Sequence, residues 1–267
     1  MKKNFFGLIT ALATVMLMTS CGAFYFPQMG NMPLVSQKGE LVAEAAVAPM
    51  VIDPLLLIDG GYGTRGLPYQ LACSYAATDH MVAQISLRRM DGAEVRHQAM
   101  AGWYTPLGDH ATVEVMGGFA AGRSMAVNES LKSVEGYTDY RIKGRYQCLF
   151  VQGDIGFPSF SPVWLKKIAF SAGFGLRAGG VWMKYDQSNY GRPDEDGVCP
   201  LTSVDLGMTA SLFELQPMLQ LGLGGHRFKM EIGAGHSFFL GSQWPEWFPL
   251  SVNLSFTYRI PLKKLLD

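Results

Sequence analysis

Five histidines and one acidic run are the side chains whose types could do acid–base or metal chemistry. His80 and His110 each directly follow an aspartate, Asp79 and Asp109 respectively. Both pairs come where a predicted turn leads into a predicted strand, and aspartate forms turns by bonding to its own backbone. The spacing therefore favours a repeated turn device over a metal site or an acid–base pair.

The remaining candidates do not converge on one site. His97 and His236 fall in predicted strands, whereas Asp186 and residues 194–197, which read Asp-Glu-Asp-Gly, fall in one long predicted loop. The acidic run lacks the alternating oxygen ligands of a calcium loop. The glycine-rich run 222–225 is followed by neither the lysine nor the helix of a phosphate loop. We therefore predict no catalytic residue, no metal ligand, no cofactor and no enzymatic activity.

The elements that carry these residues are strands. In the run 250–260, apolar and polar residues alternate strictly, the apolar ones being Leu250, Val252, Leu254, Phe256, Tyr258 and Ile260. The runs 228–238, 168–177 and 67–76 alternate in the same way. Strict period-2 alternation over such lengths indicates strands, because a helix would repeat every 3.6 residues.

About ten such strands fit the chain. Their approximate spans are 39–48, 67–77, 80–89, 94–104, 110–122, 140–156, 166–183, 211–224, 227–239 and 249–260. The connections alternate between short ones, such as 78–79 and 225–226, and long ones, such as 49–66, 123–139 and 184–210. Short periplasmic turns, long outer loops and an even strand number are typical of bacterial outer-membrane barrels. We therefore predict an all-β, antiparallel, up-and-down transmembrane β-barrel.

The composition agrees with a membrane barrel. Hydrophobic residues make up 48% of the chain and charged residues 16%, against about 25% charged in a typical soluble domain. No apolar run reaches the roughly 20 residues of a membrane helix. The 22 basic and 22 acidic residues are balanced, which excludes the electrostatic footprint of a nucleic-acid-binding protein.

The first residues predict export. Lys2 and Lys3 precede an apolar stretch at 5–18, and small residues then lead to Cys21, which is the layout of a cleaved secretory signal. The run 17–21, Leu-Met-Thr-Ser-Cys, resembles the lipobox of bacterial lipoproteins. That resemblance implies that Cys21 carries the acyl chains. We predict a signal peptide at 1–20, a lipid-anchored extended leader at 21–38 and the barrel at 39–267.

The inward face of the predicted barrel is polar. By alternation it receives charges of both signs, namely Glu44, Arg88, Arg96, Glu114, Arg177, Lys229, Glu231 and Arg259. It also receives five amides, Gln70, Gln84, Gln98, Gln216 and Gln220. Channels that select for charge line themselves with one sign, and side chains can fill a small barrel. We therefore interpret this lumen network as a plug whose members bridge one another.

Two stretches resemble barrel lipoproteins of Bacteroidetes-type bacteria. They are residues 31–40, which read NMPLVSQKGE, and residues 71–80, which read LACSYAATDH. The resemblance covers mainly the first 90 residues. It implies a barrel in the outer membrane, anchored there by lipid through Cys21, and it brings no catalytic motif with it.

Three functions are compatible with such a barrel. The leading hypothesis is a structural or surface-interaction role through the long outer loops, since binding residues concentrate in loops on a rigid scaffold. The alternatives are a narrow channel or carrier for a small solute, and a soluble, periplasmic, lipocalin-like carrier. If Leu250, Phe256 and Ile232 point outward, the chain is a membrane barrel, and if they point inward it is a soluble carrier. Outer-membrane lipid is the predicted partner, and the sequence names no protein or solute.

Overall fold

The computed structural model describes Tyr25, Met29 and residues 31–48, 68–90, 94–108, 111–128, 139–161, 168–191, 200–241 and 250–262. Strands account for most of these residues. They are β1 (Glu40–Val47), β2 (Tyr69–Ala76), β3 (Met81–Met90), β4 (Glu94–Leu107), β5 (Ala111–Asn128), β6 (Asp139–Phe160), β7 (Ala169–Tyr190), β8 (Leu201–Gly224), β9 (Phe228–His236), β10 (Phe238–Gly241) and β11 (Leu250–Pro261).

The strands form one closed antiparallel sheet. Each strand from β1 to β8 pairs with the next in sequence, β8 pairs with β9, β9 with β11, and β11 closes the ring on β1. The short strand β10 continues β9 past Ser237, because Gly235 faces Met218 and Phe238 faces Leu215 in an unchanged register on β8. The wall therefore has ten strands, and the predicted up-and-down barrel is confirmed.

The two faces of the wall differ in polarity. Ile232 and Phe256 point outward and are 55% and 44% exposed, and outward leucines, phenylalanines and valines recur on nearly every strand. The inward positions of β11, such as Asn253 and Thr257, are polar and buried. This facing is that of a membrane barrel and contradicts the lipocalin-like alternative. No helix among the described residues is long and apolar enough to cross a membrane.

The two ends of the barrel are built differently. At one end, called here the short-turn end, the described residues include the connections 77–80 and 225–227. At the other, called the long-hairpin end, β5 to β8 continue for 18, 22, 22 and 24 residues. A tilted strand needs about 9–11 residues to cross a bilayer. These four strands therefore project well past the apolar belt.

At the long-hairpin end, the predicted ends of three strands were wrong. Residues 123–128, 184–190 and 201–210 belong to β5, β7 and β8 rather than to loops. In 123–128 and 184–190 no described large apolar side chain is exposed, and in 201–210 a register shift breaks the alternation, although the hydrogen-bonded ladder continues. Alternation reports where a sheet lies against an apolar layer, and it cannot mark where the sheet itself stops.

Candidate functional site

The polar side chains of the predicted lumen network all lie inside the barrel. The eight charged members are buried: Glu44, Arg88, Arg96, Glu114, Arg177, Lys229, Glu231 and Arg259. The five amides, Gln70, Gln84, Gln98, Gln216 and Gln220, are buried with them. Each lies at an inward position because side chains alternate between the two faces of a strand.

The acidic partners in the lumen differ from those expected. Arg88 Nε lies 3.1 Å and Arg96 Nε 3.7 Å from the carboxylate of Glu94. At the short-turn end, Arg259 Nη1 lies 3.1 Å from Glu40 Oε1. Glu94 and Glu40 were not in the predicted network, so the expectation that its members bridge one another was incomplete. The inward acids Asp154 and Glu214 were also missed, although Glu214 shares its parity with Gln216 and Gln220 on β8.

The main feature that the sequence analysis missed is a segment inside the lumen. Tyr25, Met29 and residues 31–35, which belong to the predicted leader, are buried to the same degree as the barrel core, and Val35 has no exposed surface. We call the described residues 25, 29 and 31–38 the leader. Alternation could not reveal it, because an extended segment inside a barrel is covered on every side and need not alternate.

The leader is clamped near the short-turn end by two charged side chains. The Glu114 carboxylate accepts hydrogen bonds from the backbone N–H groups of Leu34 at 3.1 Å and Val35 at 2.6 Å. Arg259 donates to the carbonyls of Pro33 and Leu34, each at 3.1 Å. Hydrogen bonds to charged groups are worth about 1.5–3 kcal/mol each. Both members of the predicted network therefore hold leader backbone.

Leu34, which lies in the clamp, has an unusual backbone conformation. Its φ of 44° lies in the left-handed region, which L-residues other than glycine, asparagine and aspartate rarely adopt. Its side chain is buried in one apolar cluster with Met32 and Met218. Such a conformation persists only where its surroundings over-determine it. Here the backbone contacts to Glu114 and Arg259 supply that constraint.

Tyr25 holds the other end of the described leader. Its hydroxyl donates to Glu214 Oε2 at 2.8 Å, and its ring meets the ring of Tyr146 edge-on at 5.2 Å. The Arg96 guanidinium lies 5.0 Å from the same ring centroid. Tyr146 in turn hydrogen-bonds the Glu94 carboxylate. Tyr25 is thus held by an aromatic and charged cluster that includes the predicted residue Arg96.

The contacts between these ends give the leader a direction. On β6, Tyr25 lies at Tyr146, the Asn31 carbonyl accepts from Gln152 Nε2 at 3.0 Å, and Leu34 lies against Gly156. On β8, the same order runs from Glu214 at Tyr25 to Gln220 at Met32. Because β6 starts at the long-hairpin end, the leader descends from that end to the short-turn end.

Three further lumen residues tie barrel strands to each other. Arg177 donates to Gln152 Oε1 through Nη2 at 2.6 Å and lies 4.0 Å over the Phe150 ring. Glu231 accepts from Ser171 at 2.5 Å, from Gln220 at 2.8 Å and from Thr257. Lys229 donates to the carbonyl of Pro158. The inward side chains of the wall and of the described leader are therefore buried together in the lumen.

The four described histidines lie away from this site. His97 and His236 are exposed on the outward face, and His80 is exposed at a turn where Thr78 Oγ1 accepts from the His80 and Met81 N–H groups. His226 Nδ1 lies 3.2 Å from Ser159 Oγ at the short-turn end. No group of three or more metal-ligating side chains occurs among the described residues. His110, residues 194–197 and Cys21 lie outside them.

Comparisons with known proteins identify no family for this chain. No protein-family model and no curated protein matches it. The translocator domain of autotransporter NalP from Neisseria meningitidis is similar at 10% identity and a TM-score of 0.34, over 97% of this chain and 96% of that one. LpxR from Salmonella typhimurium is similar at 8% identity and a TM-score of 0.27, over 82% and 99%. The resemblance to Bacteroidetes-type lipoproteins stays a prediction.

The prediction that this chain is not an enzyme is corrected. LpxR, one of the similar structures, is an outer-membrane enzyme. A barrel of this kind therefore does not by itself exclude catalysis, and an absence of recognisable motifs in the sequence was too weak a basis for the conclusion. The chain is an outer-membrane type of β-barrel, and its activity is not decided by that fold.

Proposed function

We propose that this chain is an outer-membrane lipoprotein that acts at the cell surface. In this proposal the barrel holds its own leader in the lumen and presents the hairpins of β5 to β8 to a partner outside. The observation that carries the proposal is the buried leader, fixed at one end by Glu114 and Arg259 and at the other by Glu214. A filled lumen favours a surface role over a channel.

The direction of the leader supports an anchor on the outer side. Tyr25 lies beside Arg96, two residues from the start of β4, where the wall on the β3–β4 side is low. Tyr25 is the fourth residue after Cys21, and an extended chain reaches about 13–14 Å over four residue steps. If the long-hairpin end faces outside, Cys21 is within reach of that rim. Its acyl chains would then enter the outer leaflet.

The long-hairpin end is the natural outer end. Bacterial barrels have short periplasmic turns and longer outer loops, and the described turn at 225–227 is short whereas β7 and β8 project. On the projecting part, Leu206 is 75% exposed and Val204 43%. Exposed apolar residues on a rigid hairpin are suited to contact a partner. We propose this hairpin as the partner-binding surface.

Two labelling experiments test the proposal. Acyl labelling of the full chain should be lost in Cys21→Ser, and persistence would contradict the lipid anchor. In cells that carry Cys199→Ser, a membrane-impermeant thiol reagent should label Ser203→Cys on intact cells, whereas Ser159→Cys at the short-turn end should react only after lysis. The reverse pattern would place the hairpins in the periplasm and contradict the surface role.

An epitope tag placed directly after Cys21 reports on which side of the outer membrane the anchored end of the chain lies. Antibody binding to intact cells is expected if the leader runs to the outer end. Binding only after the outer membrane is opened would contradict the outward direction. In that case, acyl labelling would still decide whether Cys21 is lipidated.

A further inference from the structure

Four cations share one row across the outward face of the barrel. Following the register, Arg89 on β3 faces Val95, Val95 faces Arg123, Arg123 faces Arg145, and Arg145 faces Lys184. Arg89, Arg123, Arg145 and Lys184 are all exposed. Side chains of directly opposed residues are about 4.5–5.5 Å apart at Cβ. Arg123, Arg145 and Lys184 therefore form a contiguous cationic row on β5, β6 and β7.

The cationic row contains no acidic residue of its own. Arg123 faces Val95 on its other side, and Lys184 faces Thr209. Asp186, two residues further along β7, accepts a hydrogen bond from the Gly207 N–H at 2.7 Å. Like charges directly opposite each other destabilise a sheet. A multiply charged anion bridging the three side chains would turn this repulsion into attraction.

An apolar groove lies below the cationic row on the same strands. It is shallow and widely open on the outward face, with a volume of about 750 Å³. Its outward lining consists of small and apolar residues: Ala99, Ala101, Gly117, Phe119, Leu149 and Val151. A Cβ at Gly117 would meet nothing within 4 Å. The groove is therefore open space on the membrane face, with room for hydrocarbon.

The heights of the groove and the row match a lipid at an interface. Arg145 is four residues from Leu149 along β6, which is about 13 Å of strand. Trp182 lies in the intervening row, opposite Gln147, and is 52% exposed. Tryptophan is enriched where hydrocarbon meets headgroups. The groove thus lies at the depth of acyl chains and the cationic row at the depth of headgroups.

We propose that the outward face of β4 to β7 is a binding site for a phosphorylated lipid with several acyl chains. The phosphates bind Arg123, Arg145 and Lys184, and acyl chains occupy the groove over Gly117. Arginine suits phosphate because its guanidinium presents paired donors in one plane. The site goes beyond the proposed surface role and does not depend on Cys21. Only its assignment to the outer leaflet rests on the proposed orientation.

The test uses the full chain in phosphatidylcholine nanodiscs and native mass spectrometry. The probe is a bis-phosphorylated, hexa-acylated lipid A, and its phosphate-free form and inorganic pyrophosphate are the comparison ligands. We expect saturable binding of the phosphorylated lipid and an affinity at least about tenfold lower for the phosphate-free form. Equal binding of the two lipids would overturn the role of the cationic row. Full competition by pyrophosphate would show a free-phosphate site and overturn the lipid assignment.

Matched variants separate headgroup from acyl contacts. Arg145→Gln should weaken lipid binding about tenfold, whereas Arg141→Gln, four residues away on the same face of β6, should change it less than twofold. Gly117→Leu should fill the groove and reduce binding, whereas Gly153→Leu, also on the outward face but outside the groove, should not. Unchanged binding in both Arg145→Gln and Gly117→Leu would refute the site. All four substitutions point away from the lumen, and heat-modifiable migration on gels verifies the folded barrel.

Discussion

At the residue scale, Glu114 fixes a stretch of leader backbone that does not pair with a neighbouring strand. Its carboxylate receives two consecutive N–H groups of the leader and has no exposed surface. An extended segment inside a barrel cannot hydrogen-bond like a strand unless it joins the sheet. Its backbone groups must then be satisfied by side chains, because buried N–H groups are rarely left unpaired.

The first prediction concerns this carboxylate. Glu114→Gln should release the leader, because the amide keeps one acceptor and sets an N–H₂ donor against two backbone donors. We expect a loss of about 2 kcal/mol in the free energy of unfolding and faster cleavage of the leader by added protease. Glu44→Gln, a buried lumen carboxylate on β1, is the control. Equal leader protection in both variants would show that Glu114 does not clamp the leader.

Residue parity placed most lumen side chains correctly from sequence. Arg96, Arg177 and Arg259 all follow from strict alternation along their strands. Their partners did not follow, because alternation says which face a residue takes and nothing about which inward residues meet across the barrel. Glu40 and Glu94 are the first residues of their strands, where a pattern has the least sequence to support it.

At the element scale, one glycine controls the face presented by the projecting part of β8. Tyr185 faces Met208 but Gln187 faces Asp205, so β8 carries one extra residue between them. Gly207, at φ +67°, lies in that bulge, as a glycine-containing bulge requires. The extra residue reverses the parity, so that by the register Val204 and Leu206 face the same side as Phe213. A prediction that relies on unbroken alternation therefore does not extend the strand across this bulge.

The second prediction concerns this bulge. Gly207→Ala should strain the left-handed backbone position and lower the local stability of the hairpin by about 1–2 kcal/mol. The measurable result is faster amide exchange in β7 and β8 near the long-hairpin end. The control is Gly117→Ala, since Gly117 has no positive φ and a Cβ there meets open space. Slower or unchanged exchange in Gly207→Ala would show that the bulge does not depend on glycine.

The strand number and order were predictable because each membrane crossing repeats the same alternation. The ends of β5 to β8 were not, since the apolar belt is shorter than these strands. The leader was predicted as an extended segment, but its burial in the lumen was not, because apolar residues such as Met32 and Val35 do not alternate with polar ones there. Both errors concern segments that do not lie between lipid on one side and the lumen on the other.

At the scale of the whole molecule, the lumen is closed by two layers of side chains. Inward residues such as Arg177 bridge strands, and the leader occupies the space that remains. An eight-stranded barrel has an interior that side chains just fill, whereas porins with an aqueous channel use 16–18 strands. Ten strands would leave slightly more room than eight, and the leader accounts for that difference.

The third prediction follows for conduction. In planar bilayers the unmodified chain should show no steady conductance at porin scale. Replacing residues 25–35 by a glycine-serine segment of equal length should raise the conductance, since the inward charges then line an emptied lumen. A control in which a glycine-serine segment of equal length replaces residues 129–138, between β5 and β6, should leave it low. Large, steady conductance from the unmodified chain would mean that the lumen is open and would favour the channel alternative.

The most direct test of the account is a photocrosslink from the leader. A benzoylphenylalanine in place of Tyr25 keeps an aromatic ring at the position that contacts Tyr146, Phe239 and Glu214. Irradiation of intact cells followed by peptide mapping should give crosslinks within the chain, to β6, β8 and β10 near these residues. Crosslinks confined to other proteins, or to the short-turn end of the barrel, would contradict a leader that fills the lumen and runs toward the long-hairpin end.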